Sequence, residues 1–141
     1  QRQMCIRDSD FTDTDVKDWI DKNLSLYEKY GLGYFLALSK KDGSVLGQAA
    51  LMPDTIDGKD YLEVGYIFDK KYWGNGYATE CAKALSQYAI EHFPDKELIL
   101  EIRPENEASI KVAQWLCVTL EGTFTKIVRG KSMNHFIFKI Y

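Results

Sequence analysis

Two glycines between a strand pattern and a helix pattern are the feature of this sequence with the clearest chemical meaning. Gly74 and Gly76 follow residues 61–68, whose even-numbered members share one face. Apolar residues then recur at helical spacing from Tyr77 onward. The first N–H groups of a helix have no partners within the helix, and glycines let a ligand approach the backbone closely. The sequence therefore predicts an anion site at this turn, for a ligand that carries phosphate.

Three kinds of glycine loop bind phosphate, and two of them fit poorly here. A P-loop ends in Gly-Lys-Ser/Thr, whereas Gly76 is followed by Tyr77 and Ala78. A dinucleotide-binding fingerprint needs Gly or Ala at its third glycine position, which is Thr79 here, and a branched side chain would hinder packing of the helix on the strand. That fingerprint also usually lies in the first βα unit, whereas two strands are predicted to precede this one.

The third kind fits. The run Trp73-Gly74-Asn75-Gly76-Tyr77-Ala78 resembles the acetyl-CoA loop of the GNAT acyltransferases, whose pattern is Gln/Arg-x-x-Gly-x-Gly/Ala. Gly76 and Ala78 match its last two fixed positions, and Trp73 departs from the first. Residues 72–80 are similar throughout to the loop of the RimJ/RimL branch, which acetylates the N-termini of ribosomal proteins. The loop therefore resembles that branch in particular.

Two further motifs complete the resemblance, which extends over residues 13–141. They are Gly65-Tyr66 on the strand before the loop, and Asn106 and Ser109 in an Asn-x-x-Ser run after the next strand. The resemblance implies an α+β GNAT fold, with a mixed, mostly antiparallel twisted sheet, one central parallel β-α-β crossover and helices on both faces. A GNAT domain opens with a strand and a helix that this sequence lacks. Residues 10–141 are therefore interpreted as a single N-acetyltransferase domain without its first strand and helix.

The resemblance also implies a cosubstrate, acetyl-CoA, and no metal. Pantetheine would enter between the strands at 61–68 and 96–103, and pyrophosphate would meet the N–H groups of residues 73–78. A strand N–H near Ile67 would polarise the acyl carbonyl. The implied cofactor-binding residues are Ile67, Phe68, Trp73, Gly74, Asn75, Gly76, Tyr77, Ala78, Thr79, Asn106 and Ser109.

Glu63 is the candidate catalytic residue. It shares a strand face with Gly65 and Ile67, and a carboxylate beside a ligand slot can act as a general base if burial raises its pKa. The alternative is a strand glutamate that faces solvent. No tyrosine occupies the position where many GNAT enzymes place the group that protonates the leaving thiolate. Cys117 stands where the branch commonly has glycine, which predicts an altered or strained helix end.

The elements that position these residues are predicted from periodicity and turn residues. A helix at 13–30 is capped by Thr12 or Thr14 and stopped by Gly31. A strand, a long helix and another apolar strand predict a right-handed parallel crossover. Residues 53–60 are predicted as a polar loop. The remaining predicted elements are strands at 33–39, 45–52, 61–68, 96–103, 120–129 and 133–141, a helix at 77–93 and a helix capped by Asn106.

Composition limits the function classes. The chain has 141 residues, enough for one domain, and its net charge of −3 argues against a nucleic-acid binder that relies on bulk positive charge. No apolar run approaches membrane-spanning length. The three cysteines form neither a disulfide framework nor a metal spacing, so a reducing cytoplasm is expected. The expected partner is an amine-bearing small molecule or a protein N-terminus, with a homodimer left open, and neither nucleic acid nor a membrane.

Residues 1–9 lack periodicity and resemble a translated sequencing-adapter read at the end of an assembled gene, so we expect them to be non-native; a frayed natural N-terminus is the alternative. The function predicted for the rest is acetyl-CoA-dependent N-acetyl transfer to a primary amine by direct attack in a ternary complex. A non-catalytic acyl-CoA-binding or regulatory module is the alternative. A dinucleotide-binding domain, which would prefer NAD to CoA, is a third possibility.

Overall fold

The computed structural model describes residues 11–116, 118–128 and 130–141. They form one six-stranded sheet in the order β1-β2-β3-β4-β6-β5. The predicted order of helices and strands is confirmed, and the sheet has the single parallel pair that was expected. The elements are α1 (Asp13–Tyr30), β1 (Gly33–Leu38), β2 (Val45–Ile56), β3 (Lys59–Phe68), a 3₁₀ turn (Lys70–Tyr72), α2 (Tyr77–His92), β4 (Leu98–Ile102), α3 (Glu107–Trp115), β5 (Thr119–Val128) and β6 (Lys131–Ile140).

Helix α1 begins and ends where its capping residues dictate. Thr12 and Asp15 form a capping box, and Gly31 closes the helix at φ 65°. Asn23 is the buried residue of α1, and it joins the helix to the sheet because its Oδ1 accepts a hydrogen bond from the Tyr34 N–H at 3.0 Å. This hydrogen bond fixes α1 on one face of β1 and β2, where Trp19 packs on Tyr34.

The prediction of a polar loop at 53–60 is wrong. Strand β2 instead continues to Ile56 and β3 already begins at Lys59. These two residues pair directly across a two-residue turn. Asp57 and Gly58 have φ values of 50° and 79°, the positive pair that such a tight hairpin turn needs. Pro53 is tolerated because β1 ends its pairing with β2 at Leu51, which leaves β2 with one neighbour there. The longer strand places Asp54 on the sheet.

The two faces of the sheet are covered by different helices, as predicted. The face of β3 that carries Val64 packs against α2 and α3 in the main core, with Leu51, Leu100 and Ile102 fully buried there. The opposite face packs against α1. Toward β5 and β6 the same face carries a smaller buried cluster around Ile99, onto which Phe124 and Ile137 pack. Glu63, Gly65 and Ile67 alternate with the core residues and therefore lie on the α1 face.

Strands β3 and β4 separate soon after they meet. Their parallel register consists of two pairs, Leu62 with Leu98 and Glu63 with Ile99. Beyond Glu63, β3 continues to Phe68 and β4 to Ile102 without further pairing between them. The sheet therefore holds a gap at the carboxyl ends of its two parallel strands, the edge where ligands of open α/β sheets bind.

None of the three helices in the described part of the chain has the length and apolar character needed to cross a bilayer.

Candidate functional site

The gap between β3 and β4 presents backbone donors. The Leu62 N–H points toward β4, since it donates to the Glu97 carbonyl at 2.9 Å, and the Asp69 N–H points toward β2, since it donates to the Leu46 carbonyl at 3.3 Å. Backbone groups alternate in direction along a strand, so even-numbered residues of β3 direct their N–H groups to the β4 side. The Val64 N–H completes the last parallel pair, that of Glu63 with Ile99. The N–H groups beyond it that face the gap belong to Tyr66 and Phe68.

A cavity of about 650 Å³ opens at this gap, on the face covered by α2 and α3. Its walls are the end of β3, the glycine loop, the first turn of α2 and one side of α3. The predicted cofactor-binding residues that line it are Phe68, Trp73, Gly74, Gly76, Tyr77, Ala78, Thr79, Asn106 and Ser109. Nine of the eleven predicted residues therefore surround one space.

The first turn of α2 forms one end of this cavity. Gly76 precedes the helix at φ 79°, a conformation that favours glycine, and it offers no side-chain cap. The first hydrogen bond of the helix runs from the Glu80 N–H to the Gly76 carbonyl at 2.9 Å. The N–H groups of Tyr77, Ala78 and Thr79 thus precede that bond and lie at the positive end of the helix dipole. This geometry suits an anionic group.

The loop before α2 is held in shape by two side chains. The Trp73 Nε1 donates to the Phe68 carbonyl at 2.8 Å, and the Asn75 Nδ2 donates to the Tyr72 carbonyl at 2.9 Å. Asn75 lies outside the cavity lining, so the structure places it as a brace of the loop. Trp73, at the position where the resemblance departs from Gln or Arg, closes the loop against the end of β3.

The α3 wall is organised by Asn106. Its Oδ1 accepts the Ser109 N–H at 3.2 Å, which makes Asn106 the N-cap of α3. Ser109 is buried, and its carbonyl lies 3.5 Å from the hydroxyl of Tyr66. Burial raises the pKa of Tyr66 to about 12, so this phenol remains protonated at neutral pH.

Ile67 and Glu63 lie on the other side of the sheet from the cavity. Ile67 packs against the cluster of Tyr34, Ala50 and Met52 under α1, and as an odd-numbered residue it directs its N–H to β2. The backbone N–H groups that face the gap therefore belong to the neighbours of Ile67, which are Tyr66 and Phe68. Glu63 is 2% exposed, so the alternative of a glutamate facing solvent is wrong.

Glu63 belongs to a buried polar cluster that the sequence analysis did not predict. Carboxylate oxygens of Asp54, Glu63 and Glu101 lie within 4.8 Å of one another. The Lys126 ammonium contacts Glu101 at 2.9 Å and Asp54 at 3.1 Å, so a lysine already supplies a cation to these acids. Glu101 could have been suspected because it interrupts the otherwise apolar strand β4. Asp54 could not, because it lay in the mispredicted loop.

The cluster holds fewer positive charges than acids, and its protonation reflects this. Burial, the nearby Glu63 carboxylate and a hydrogen bond with Asp54 raise the pKa of Glu101 to about 8. Burial by itself would raise the pKa of Asp54, but a hydrogen bond from Glu101 and the charge of Lys126 lower that pKa overall. Burial likewise opposes the charge of Lys126, but Glu101 and its neighbours raise the pKa of that lysine. Taken together, the carboxyls of Glu101 and its neighbours therefore hold a proton more readily than isolated glutamates do.

Two predictions fall outside the described residues. One is the altered helix end at Cys117, and the other is the non-native character of residues 1–9.

The sequence is similar to a known protein family and to several individual proteins. The model of a family described as "Acetyltransferase (GNAT) domain" matches residues 2–116. The uncharacterized protein YkkB of Bacillus subtilis (strain 168) is 32% identical over 111 residues, 79% of this chain and 64% of that protein. The uncharacterized N-acetyltransferase YnaD of the same organism is 25% identical over 118 residues, 84% of this chain and 66% of that protein. The chain thus spans slightly less than two thirds of the length of both relatives.

The fold is similar to those of several solved structures. An acetyltransferase (GNAT family) from Bacillus anthracis superposes with a TM-score of 0.73 at 24% identity, over 94% of this chain and 76% of that one. The ribosomal-protein-S5-alanine acetyltransferase of Vibrio fischeri superposes with a TM-score of 0.72 at 21% identity, over 92% of this chain and 72% of that one. These likenesses show a shared fold.

Proposed function

Because the chain belongs to the GNAT acetyltransferase family, we propose that it transfers an acetyl group from acetyl-CoA to a primary amine by direct attack in a ternary complex. The observation that carries this proposal is the separation of β3 from β4 beside the uncapped start of α2. One extended donor that carries a thioester at one end and phosphates further along meets both features at once. The order of motifs that resembles the RimJ/RimL branch supports an acceptor that is a protein N-terminus or a small amine.

The donor would lie along the open side of β3. Pantetheine amides pair with the gap-facing groups of Tyr66 and Phe68, and pyrophosphate accepts from the N–H groups at residues 77–79. The acyl carbonyl accepts from one of the two gap-facing donors, which takes the place of the N–H near Ile67. Asn106 and Ser109 border the donor from the α3 side.

The acceptor would approach from the α1 face, opposite the donor cavity. The amine nitrogen attacks the thioester carbonyl and forms the amide C–N bond, the C–S bond breaks and CoA leaves as its thiolate, and one proton of the amine passes to Glu63 directly or through water. Glu63 suits this role because it lies at the last parallel pair, where the gap begins. The Glu63 carboxyl lies within 4.8 Å of the Glu101 and Asp54 carboxyls, which would provide a polar setting for the proton it receives.

The test combines binding and turnover. Ala78→Glu puts a carboxylate where the pyrophosphate is expected, while a glutamate in the first turn of α2 is compatible with the helix dipole. We expect calorimetry to show loss of CoA affinity by at least about 100-fold with an unchanged melting temperature, because like charges at a shared anion site repel strongly. Ala78→Gln, of the same size but neutral, controls for bulk. Unchanged affinity in Ala78→Glu would refute the placement.

Turnover then separates the two function classes. Release of free thiol from acetyl-CoA is followed with a panel of polyamines, small primary amines and peptides with free N-termini. Thiol release with an amine supports the transferase. Tight CoA binding without thiol release from any amine selects the non-catalytic acyl-CoA-binding module instead.

A further inference from the structure

We propose that Trp115 and Lys111, on the outer side of α3, form the platform for the adenosine 3′-phosphate end of the donor. The inference rests on the proposed function, since it concerns the same donor. It goes further by assigning a recognition role to two side chains that neither the glycine loop nor the Asn-x-x-Ser motif includes.

One side of α3 follows the cavity for two turns. Ala108, Lys111, Val112 and Trp115 all line it, and they recur at the spacing of three and four residues that places side chains on one helix face. Seven residues of helix cover about 10 Å, so this face runs from the capped start of α3 to its last residue. The donor wall therefore extends well beyond Asn106 and Ser109.

Trp115 ends this wall as an unusually open aromatic side chain. It is 71% exposed, although it lines the cavity. A flat indole at the rim offers its face to a base, and stacking of this kind does not require hydrogen bonds to particular atoms. The acceptor amine is not a candidate occupant here, because Glu63 and its cluster lie across the sheet. The purine of the donor is the aromatic group that reaches this side.

Lys111 supplies a positive charge, which the other described residues that line the cavity lack. It is the sole lysine or arginine among the described residues that line the cavity, and it forms no ion pair with any residue in the described ranges. CoA carries a 3′-phosphate on its ribose in addition to the pyrophosphate. The backbone N–H groups of α2 suit the pyrophosphate. Lys111, one turn before Trp115, is therefore assigned to the 3′-phosphate.

The experiment compares three ligands by calorimetry: CoA, dephospho-CoA, which lacks the 3′-phosphate, and 4′-phosphopantetheine, which lacks the adenosine. Trp115→Ala should weaken CoA and dephospho-CoA binding about tenfold and leave 4′-phosphopantetheine unchanged, as expected for loss of one base–aromatic stack. Lys111→Gln should weaken CoA about threefold to fivefold and leave dephospho-CoA unchanged, the effect of one exposed ion pair.

Two control variants change an aromatic residue and a lysine outside the cavity. Tyr88→Ala removes an exposed aromatic side chain of α2 that stacks on His92, and Lys83→Gln removes an exposed lysine of the same helix. Neither should change the affinity for any of the three ligands. If Trp115→Ala weakens all three ligands equally, or none, the platform is refuted while the donor site stands. If the wild-type protein binds none of them, the proposed function fails and the platform fails with it.

Discussion

Replacing Glu101 by glutamine should change how stability depends on pH. The carboxyl of Glu101 is 2% exposed and sits among Asp54 and Glu63, with Lys126 as its cation. Its pKa is about 8 in the folded chain and returns to an ordinary value near 4.5 on unfolding. The folded state therefore binds a proton that the unfolded state releases between these values, so stability falls as pH rises through this window.

The size of the effect follows from the two pKa values. Each pH unit between them is worth about 1.4 kcal/mol. From pH 6.5 to 8 the free energy of unfolding should therefore fall by on the order of 2 kcal/mol. The window begins at 6.5 because His135, whose pKa is lowered by burial, contributes a slope of opposite sign below its ordinary value. Asp54, whose pKa is lowered, and Lys126, whose pKa is raised, do not titrate in this range.

The assay is urea unfolding of the wild type and Glu101→Gln at pH 6.5, 7, 8 and 9. Glutamine keeps the volume, its amide can donate to Asp54, and its oxygen can accept from Lys126. We expect the variant to be the more stable protein already at pH 6.5, because unfolded wild type has released the Glu101 proton by then. Its advantage should grow by on the order of 2 kcal/mol from pH 6.5 to 8 and level off toward pH 9, with unchanged m-values. Glu121→Gln, at a partly exposed carboxyl of β5, should follow the wild type. A wild type whose stability does not fall relative to Glu101→Gln would refute the reasoning.

Two further predictions concern local structure. Asp57→Val should destabilise the fold by about 1 to 2 kcal/mol, because a β-branched residue must then adopt the φ of 50° in the β2–β3 turn. Asp57→Gly should be neutral or stabilising. Thermal unfolding compares the two variants, and equal melting temperatures would contradict the turn assignment. Asn106→Ala should lower the free energy of unfolding by about 1 kcal/mol, because the Ser109 N–H loses its capping oxygen. Asn106→Asp keeps an accepting oxygen and should retain most of the wild-type stability. Chemical unfolding that shows no difference between the two variants would argue against the cap.

The sequence predicted the regular elements well where periodicity was long. Helix α1 was predicted with its observed bounds, because its apolar spacing agreed with a cap at Thr12 and a stop at Gly31. The hairpin at 53–60 was missed because the polar residues of its extension resemble a loop, and only the pairing of Ile56 with Lys59 shows that they alternate across a sheet. Local composition does not determine whether a neighbouring strand continues.

The shape of the glycine loop and of the start of α2 was predictable because it depends on consecutive residues. Glycines and a helix start in one stretch specify a backbone shape almost without tertiary context. The polar cluster was not predictable, because Asp54, Glu63, Glu101 and Lys126 come from four strands and meet only through folding. The direction of the N–H near Ile67 also needed the register, since one step along a strand reverses it.

The contact between Lys126 and Asp54 has a consequence for the shape of the molecule. Their strands, β5 and β2, are separated by three others in the sheet order. In a flat sheet, four interstrand spacings would put them about 19 Å apart, yet the two charged groups lie 3.1 Å from each other. The sheet must therefore curl into a trough whose concave side faces away from α2 and α3. An incoming amine would have to fit the width of that trough, so the curvature of the backbone itself would limit the size of acceptor that reaches Glu63.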